Sequence, residues 1–205
     1  MTAETAAALE PLACVVHGSD RVALARAEHV AVVGDGPIGL LFLQLARSRG
    51  AGRIFVAGRQ PHRLEAARAL GADRAVDTTA VALAEAVADW TDGVGADVVI
   101  ECVGEPGVWE EAADVVATGG ELLAYGGCPA GTRACFDTER IHYEEVDVKG
   151  AFHYGRADVR TALDLLDKGV VRIEPLVTHR VPLDRLADGL ALALDRRAIK
   201  VAVTP

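Results

Sequence analysis

Between Val30 and Arg49 the hydrophobic period of the chain changes, and that change limits its fold more than any other feature. Val30-Ala31-Val32-Val33 is an unbroken apolar run bounded by Gly34, the pattern of a strand buried on both faces. From Ile38 onward the apolar residues Ile38, Leu41, Phe42, Leu45 and Ala46 recur every three or four positions, which describes a helix ended by Gly50. Strand, glycine turn and helix follow one another without a linker. The same alternation continues: strand Ile54–Ala57, helix Pro61–Leu70 with proline in its first turn and Gly71 at its end, and short strand Arg74–Val76. A helix over 80–90, strand Asp97–Glu101, helix Val108–Val116 stopped at Gly119-Gly120, strand Glu121–Tyr125 and strand 146–152 come next. This order requires right-handed crossovers and gives an α/β, doubly wound, six-stranded parallel sheet with helices on both faces.

Two stretches stand outside that sheet. Thr5–Gly18 reads as a short N-terminal helix, and after the helix Asp158–Lys168 the chain reads strand Leu176–Val181, helix Leu183–Leu194, strand Lys200–Val203. The expected organisation is therefore an N-terminal helical segment over 1–27, a Rossmann domain over 28–175 and a C-terminal strand-helix-strand appendage over 176–205. With 205 residues, about half of them hydrophobic, one domain with an appendage is the natural size.

Gly34, Gly36 and Gly39 form G-x-G-x-x-G, a common pattern that gains specificity from lying between a buried strand and a helix start. Gly34 permits the tight turn, Gly36 lets a pyrophosphate approach the backbone, and Gly39 lets the helix pack closely. The N–H groups of the first turn, at Pro37-Ile38-Gly39, direct their partial positive charge at phosphate, although Pro37 itself has no N–H to give. An acidic residue that would bind a ribose 2′-hydroxyl is expected at the end of the second strand, but the sequence there is Val56-Ala57-Gly58-Arg59. Gly58 in place of a carboxylate removes a like-charge clash, and Arg59 and Arg63 could pair with a 2′-phosphate. NADP is favoured over NAD on these residues, the alternative being that both arginines are solvated surface residues.

The charge excess is acidic, a net −9, which argues against nucleic acid or an anionic membrane as partner. No apolar stretch approaches the ~18 residues of a membrane span and no secretory leader pattern opens the chain, so a cytoplasmic location is expected. Cys14, Cys102, Cys128 and Cys135 show neither zinc-finger nor redox spacing and read as free thiols. Glu10, Cys14 and His17 share a helical spacing but read as packing rather than as a metal site, and no metal ligand set is expected in this chain.

The sequence is similar to the cofactor-binding part of the zinc-dependent medium-chain dehydrogenases, in the sorbitol, threonine and inositol-type polyol branch. The resemblance covers nearly the whole chain. It is carried by Glu10-Pro11-Leu12, Gly34 to Gly39, Glu101-Cys102-Val103-Gly104, Tyr125-Gly126-Gly127, Lys149 to Tyr154, and Pro175 to His179. It implies hydride transfer between NADP(H), or NAD(H), and a secondary alcohol or ketone. Val103 and Gly104 would lie beside the adenosine side, Gly126 and Gly127 near the nicotinamide, and Phe152, His153 and Tyr154 at the nicotinamide and substrate end. Lys200 stands where related enzymes place a basic residue on the pyrophosphate, and Glu10 resembles a carboxylate close to the catalytic zinc.

Family members also carry a catalytic domain that supplies a cysteine and a Gly-His-Glu triplet to zinc, and neither that triplet nor the spacing of a four-cysteine zinc lobe occurs here. Residues 176–205, which in the family return to that domain, would then lack their packing partner, supplied if at all by a missing domain or chain. The resemblance further implies a homodimer built along the strand at 146–152. Two readings from other classes stay open: a nucleotide-binding or regulatory module without catalysis, and a zinc-free reductase or isomerase using His153 or Tyr154.

Overall fold

A computed structural model describes residues 1–205. Six parallel strands, β1 (His29–Val33), β2 (Arg53–Gly58), β3 (Arg74–Asp77), β4 (Ala96–Glu101), β5 (Val116–Ala124) and β6 (Asp147–Gly150), form one sheet in the order β3-β2-β1-β4-β5-β6. This is the doubly wound Rossmann arrangement that the sequence implied. Alternate residues along the central strands enter two separate cores: Val30, Val32, Ile54, Val56, Val98 and Ile100 on one face, and Ala31, Val33, Phe55, Ala57 and Val99 on the other. Burial on both faces explains why these strands read as continuous apolar runs rather than alternating ones.

The first core is covered by α2 (Leu9–Ser19), α3 (Pro37–Ser48) and α8 (Arg156–Asp167), with α2 seated against both others. A smaller helix, α1 (Ala3–Ala6), precedes them, and α4 (Pro61–Ala69) packs beside β2 and β3. The second core lies under α5 (Leu83–Trp90) and α6 (Pro106–Asp114). Phe42 is fully buried and meets Tyr125 edge to face with centroids 4.7 Å apart, so α3 is keyed to the end of β5. Gln44, buried in the middle of α3, accepts from Arg172 N–H at 2.8 Å and donates to Arg172 C=O at 3.2 Å, so its burial leaves neither amide atom unpaired.

Three local expectations change. The 80–90 helix begins only at Leu83, because residues 78–82 form a turn. Gly119-Gly120 does not stop a helix: α6 ends at Asp114, and the glycines lie inside β5, where the pairing with β4 shifts register between Ala96 and Val98. Val115-Val116 supplies β-branched residues there, and Gly119, at φ +72°, gives its N–H to Glu144 C=O at 2.7 Å. Residues 138–142, for which the sequence suggested no element, form a short helix, α7 (Thr138–His142), started by the Asp137 carboxylate accepting from Glu139 N–H.

After α8 the chain forms a separate two-stranded parallel sheet, β7 (Val177–Pro182) and β8 (Lys200–Thr204), joined through α9 (Leu186–Leu194). The expected helix from Leu183 to Leu194 is divided, its first turn being 3₁₀ over Leu183–Arg185. No helix of the chain is long and apolar enough to cross a membrane.

Candidate cofactor site

The strand order reverses at β1, which lies between β2 and β4, and the carboxyl ends of these strands open onto a cavity of about 230 Å³. Such a switch point is where open α/β sheets hold ligands. Gly34 stands at φ +122°, a turn that disfavours any side chain. A Cβ at Gly39 would lie 1.9 Å from Gly34 C=O, so the third glycine is dictated by the chain's own packing. Gly36 differs from both. Its φ of −74° suits any residue and no atom lies within 4 Å of a Cβ built there. The space over Gly36, at the N-cap of α3, is an open cradle at a helix N-terminus.

Two buried carboxylates build the walls. Asp35, between the first two glycines, accepts from Arg59 N–H and Gln60 N–H, both at 2.8 Å. A Cβ at Gly58 would lie 2.3 Å from Asp35 Oδ2. The expectation that Gly58 frees the end of β2 from negative charge is thereby corrected: Gly58 is required because a carboxylate from the first loop occupies that space. Glu101, fully buried at the end of β4, accepts from Val103 N–H at 2.5 Å and Gly104 N–H at 3.0 Å, pinning the β4–α6 turn. Burial pushes its carboxyl above the usual range, against these N–H contacts, and Oε2 has no partner. Gly104, at φ +81°, and Gly126 touch backbone to backbone, since a Cβ on Gly126 would lie 2.4 Å from Gly104 N. Neither carboxylate was singled out for such a role by the sequence. The signal for Asp35 was a glycine at the end of β2 paired with an acid inside the glycine turn.

The structure distributes the other expected residues among three places. Gly34, Gly36, Gly58, Arg59, Arg63 and Val103 line the 230 Å³ cavity. Arg59 is exposed there, whereas Arg63 turns inward, donating to Ala198 C=O at 2.6 Å with Asp35 Oδ1 at 3.8 Å. Gly126, Gly127, Phe152, His153 and Glu10 line a second, larger cavity of about 620 Å³, together with Cys14 and Cys128. Tyr154 is outside its lining. His153 holds φ +59°, a strained backbone for a non-glycine residue, and Phe152 is 84% exposed. Lys200 lies apart from both, lining a cavity of about 210 Å³ with Pro37 and Ile38 at the start of α3.

The Cys14 thiol donates to Glu10 Oε1 at 3.4 Å, and burial together with that carboxylate pushes its pKa up to about 11. It stays a thiol at neutral pH. No group of three or more His, Cys, Asp or Glu residues stands together as a metal cage anywhere in the chain. These residues do not fit a zinc centre by themselves.

Fold and cavities together define a dinucleotide-binding α/β unit. Residues 37–168 match the family of zinc-binding dehydrogenases, and the chain belongs to that family. It is 36% identical over 98% of its length to a sorbitol dehydrogenase of Halalkalibacterium halodurans, and 33% identical over 98% to a D-arabitol-phosphate dehydrogenase of Enterococcus avium. A zinc-binding dehydrogenase from Sinorhizobium meliloti 1021, solved bound to NADP, superposes with a TM-score of 0.91 at 32% identity over 98% of this chain. An alcohol dehydrogenase of Thermus sp. ATN1 superposes with a TM-score of 0.90 at 27% identity over the whole chain. The chain spans 59% of the Halalkalibacterium enzyme and 57% of the Enterococcus enzyme, and 59% of each of the two solved chains.

Proposed function

We propose that this chain is the cofactor-binding part of an oxidoreductase that moves hydride between NADP(H) and a secondary alcohol or ketone of the polyol type. The observation that carries the reading is the open cradle at Gly36: packing requires Gly34 and Gly39 to be glycine, but Gly36 is needed only by something that approaches from outside. Gly34, Gly36 and the N–H groups of Ile38 and Gly39 would hold the pyrophosphate, with Lys200 as a nearby cation. Gly58, Arg59, Val103 and Gly104 would surround the adenosine end, and Gly126, Gly127 and Phe152 the nicotinamide. Arg59, exposed in the cavity and without an ion pair, and the NADP bound to the Sinorhizobium protein support NADP over NAD.

The cofactor, when bound, supplies or accepts the hydride. Around the larger cavity the chain contributes Glu10 as a hydrogen-bond acceptor, His153 as a group able to give or take a proton, and apolar surface from Phe152, Ala151 and Tyr125. Tyr154 would enter only if its segment moved. The absence of a three-ligand cage favours, as a second reading, a nucleotide-binding module without turnover of its own.

The same reading treats 28–175 as the cofactor domain and 176–205 as the segment whose apolar helix meets a further domain or chain. It includes pairing of two copies along the edge strand β6, a cytoplasmic location, and no nucleic-acid or membrane partner. Titration of the chain with NADPH and NADH by fluorescence tests it. The parent chain should bind NADPH more tightly, and Gly36→Val should keep its melting temperature while losing binding by at least about tenfold. Equal binding by Gly36→Val would remove the cradle argument, and sedimentation showing only monomers would remove the β6 pairing.

A further inference from the structure

The helices α3, α4 and α8 each close on a glycine in the left-handed conformation: Gly50 at φ +83°, Gly71 at +101° and Gly169 at +66°. Helix α9 closes in the same backbone geometry without one. Arg196 stands at φ +58°, its N–H donates to Ala193 C=O at 3.1 Å, and Arg197 N–H donates to Leu192 C=O at 3.0 Å. These are the two bonds of the motif that ordinarily selects glycine at this position. A long cationic residue held at a glycine position points to a requirement for its side chain.

Arg196 lines the 230 Å³ cavity at the ends of β1 and β2, and it is the one residue of that lining that comes from the C-terminal segment. Arg63 explains how it is held. Its Nη2 donates to Ala198 C=O at 2.6 Å and to Arg196 C=O at 3.4 Å, tying the α9–β8 turn to α4. Arg63 therefore serves as a tether rather than as the free phosphate ligand expected from its sequence position. The cavity is lined by three arginines, Arg59, Arg63 and Arg196, and three carboxylates, Asp35, Glu105 and Glu111. Asp35 is already engaged by two backbone N–H groups and Arg63, whereas Arg59 and Arg196 make no ion pair within the chain. Removing Arg196 leaves two positive charges against three negative ones, a balance that repels a phosphate.

We propose that Arg196 is a specificity residue of the adenosine end, pairing with the ribose 2′-phosphate of NADP(H) together with Arg59, and that Arg63 is the positioning residue that presents it. This rests on the cofactor reading above and adds a contact made from the C-terminal segment rather than from the glycine turn. A guanidinium presents its donors in the fork that matches phosphate oxygens. It follows that cofactor binding and the seating of the β7-α9-β8 unit are linked through this turn.

The test titrates the 205-residue chain with NADPH and NADH, following reduced-nicotinamide fluorescence at low and high salt. Arg196→Gly places the residue preferred at φ +58° and should leave the melting temperature unchanged or raised. It should weaken NADPH by about tenfold or more, leave NADH within about twofold, and flatten the salt dependence of NADPH binding. Arg196→Lys should keep an intermediate preference, which preserves the test if the glycine variant folds poorly. Arg63→Met should lower the NADPH-to-NADH preference in the same direction. If the parent chain prefers NADPH and both Arg196 variants keep that full preference, the assignment of Arg196 is overturned while the cofactor reading stands. If the parent chain binds the two cofactors equally or binds neither, the NADP reading and this inference fall together.

Discussion

The chain contains two strand-helix-strand units of similar composition and opposite circumstances. In β1-α3-β2 every helix residue from Gly39 to Ala46 is buried, enclosed by the sheet on one side and by α2 and the Arg172 backbone on the other. In β7-α9-β8 only Gly189 of α9 is buried, where a Cβ would come within 2.9 Å of Val181. Leu186, Leu190 and Leu194, at helical spacing, are 41%, 55% and 82% exposed, and Leu183 just before them is 62% exposed. Both helices are apolar, and α9 is the more apolar of the two. The first is covered on all sides within this chain, and the second presents an apolar stripe to solvent. Apolar sequence thus predicts that a helix wants cover, and only the surrounding elements decide whether the chain supplies it.

The largest effect should come from opening the covered unit. Phe42→Ala removes a fully buried ring and its contact with Tyr125 and should cost about 3–5 kcal/mol in denaturant unfolding. A loss below about 1 kcal/mol would mean that α3 is less tightly enclosed than its burial indicates.

A smaller effect concerns the deepest carboxylate of the covered region. Because burial raises the folded-state pKa of Glu101, the folded protein holds this proton more tightly than the unfolded chain does. Its contribution to stability is full below the ordinary glutamate value and is lost as pH rises through the raised value. Unfolding midpoints should therefore decline over that window, and Glu101→Gln should flatten the decline while its amide oxygen keeps the contacts to Val103 and Gly104 N–H. An unchanged pH profile in that variant would assign the dependence elsewhere.

The smallest change in stability is expected on α9. Leu194→Glu should alter the unfolding free energy by no more than about 0.5 kcal/mol, since the residue is 82% exposed, and should reduce self-association measured by light scattering. Destabilisation as large as that of Phe42→Ala would show that the stripe is covered in solution and erase the contrast between the two units.

Much of this organisation was legible beforehand, for identifiable reasons. The β-branched runs at Val30–Val33 and Asp97–Glu101 mark strands buried on both faces, and Gly50 and Gly71 mark helix ends, because these depend on local backbone preference and on side-chain period. Gly119-Gly120 misled because a glycine pair suits a strand bulge as well as a helix stop, and the deciding partner, Glu144 C=O, is distant in sequence. Within the site, Gly34 and Gly39 were readable from their spacing. The engagement of Asp35 by Arg59 and Gln60 N–H, the inward turn of Arg63 and the presence of Arg196 in the same cavity were not.

By itself the sequence determined the order of strands and helices, the glycine turn and the class of ligand that turn admits. These follow from periods and steric allowances that act over a few residues. The tertiary structure decided which charges share a cavity. Asp35, Arg63 and Arg196 come from a loop, a helix and a helix end that are far apart along the chain. Their meeting in one cavity depends on how the glycine turn, α4 and the α9–β8 turn come together in space, and no local preference encodes that meeting.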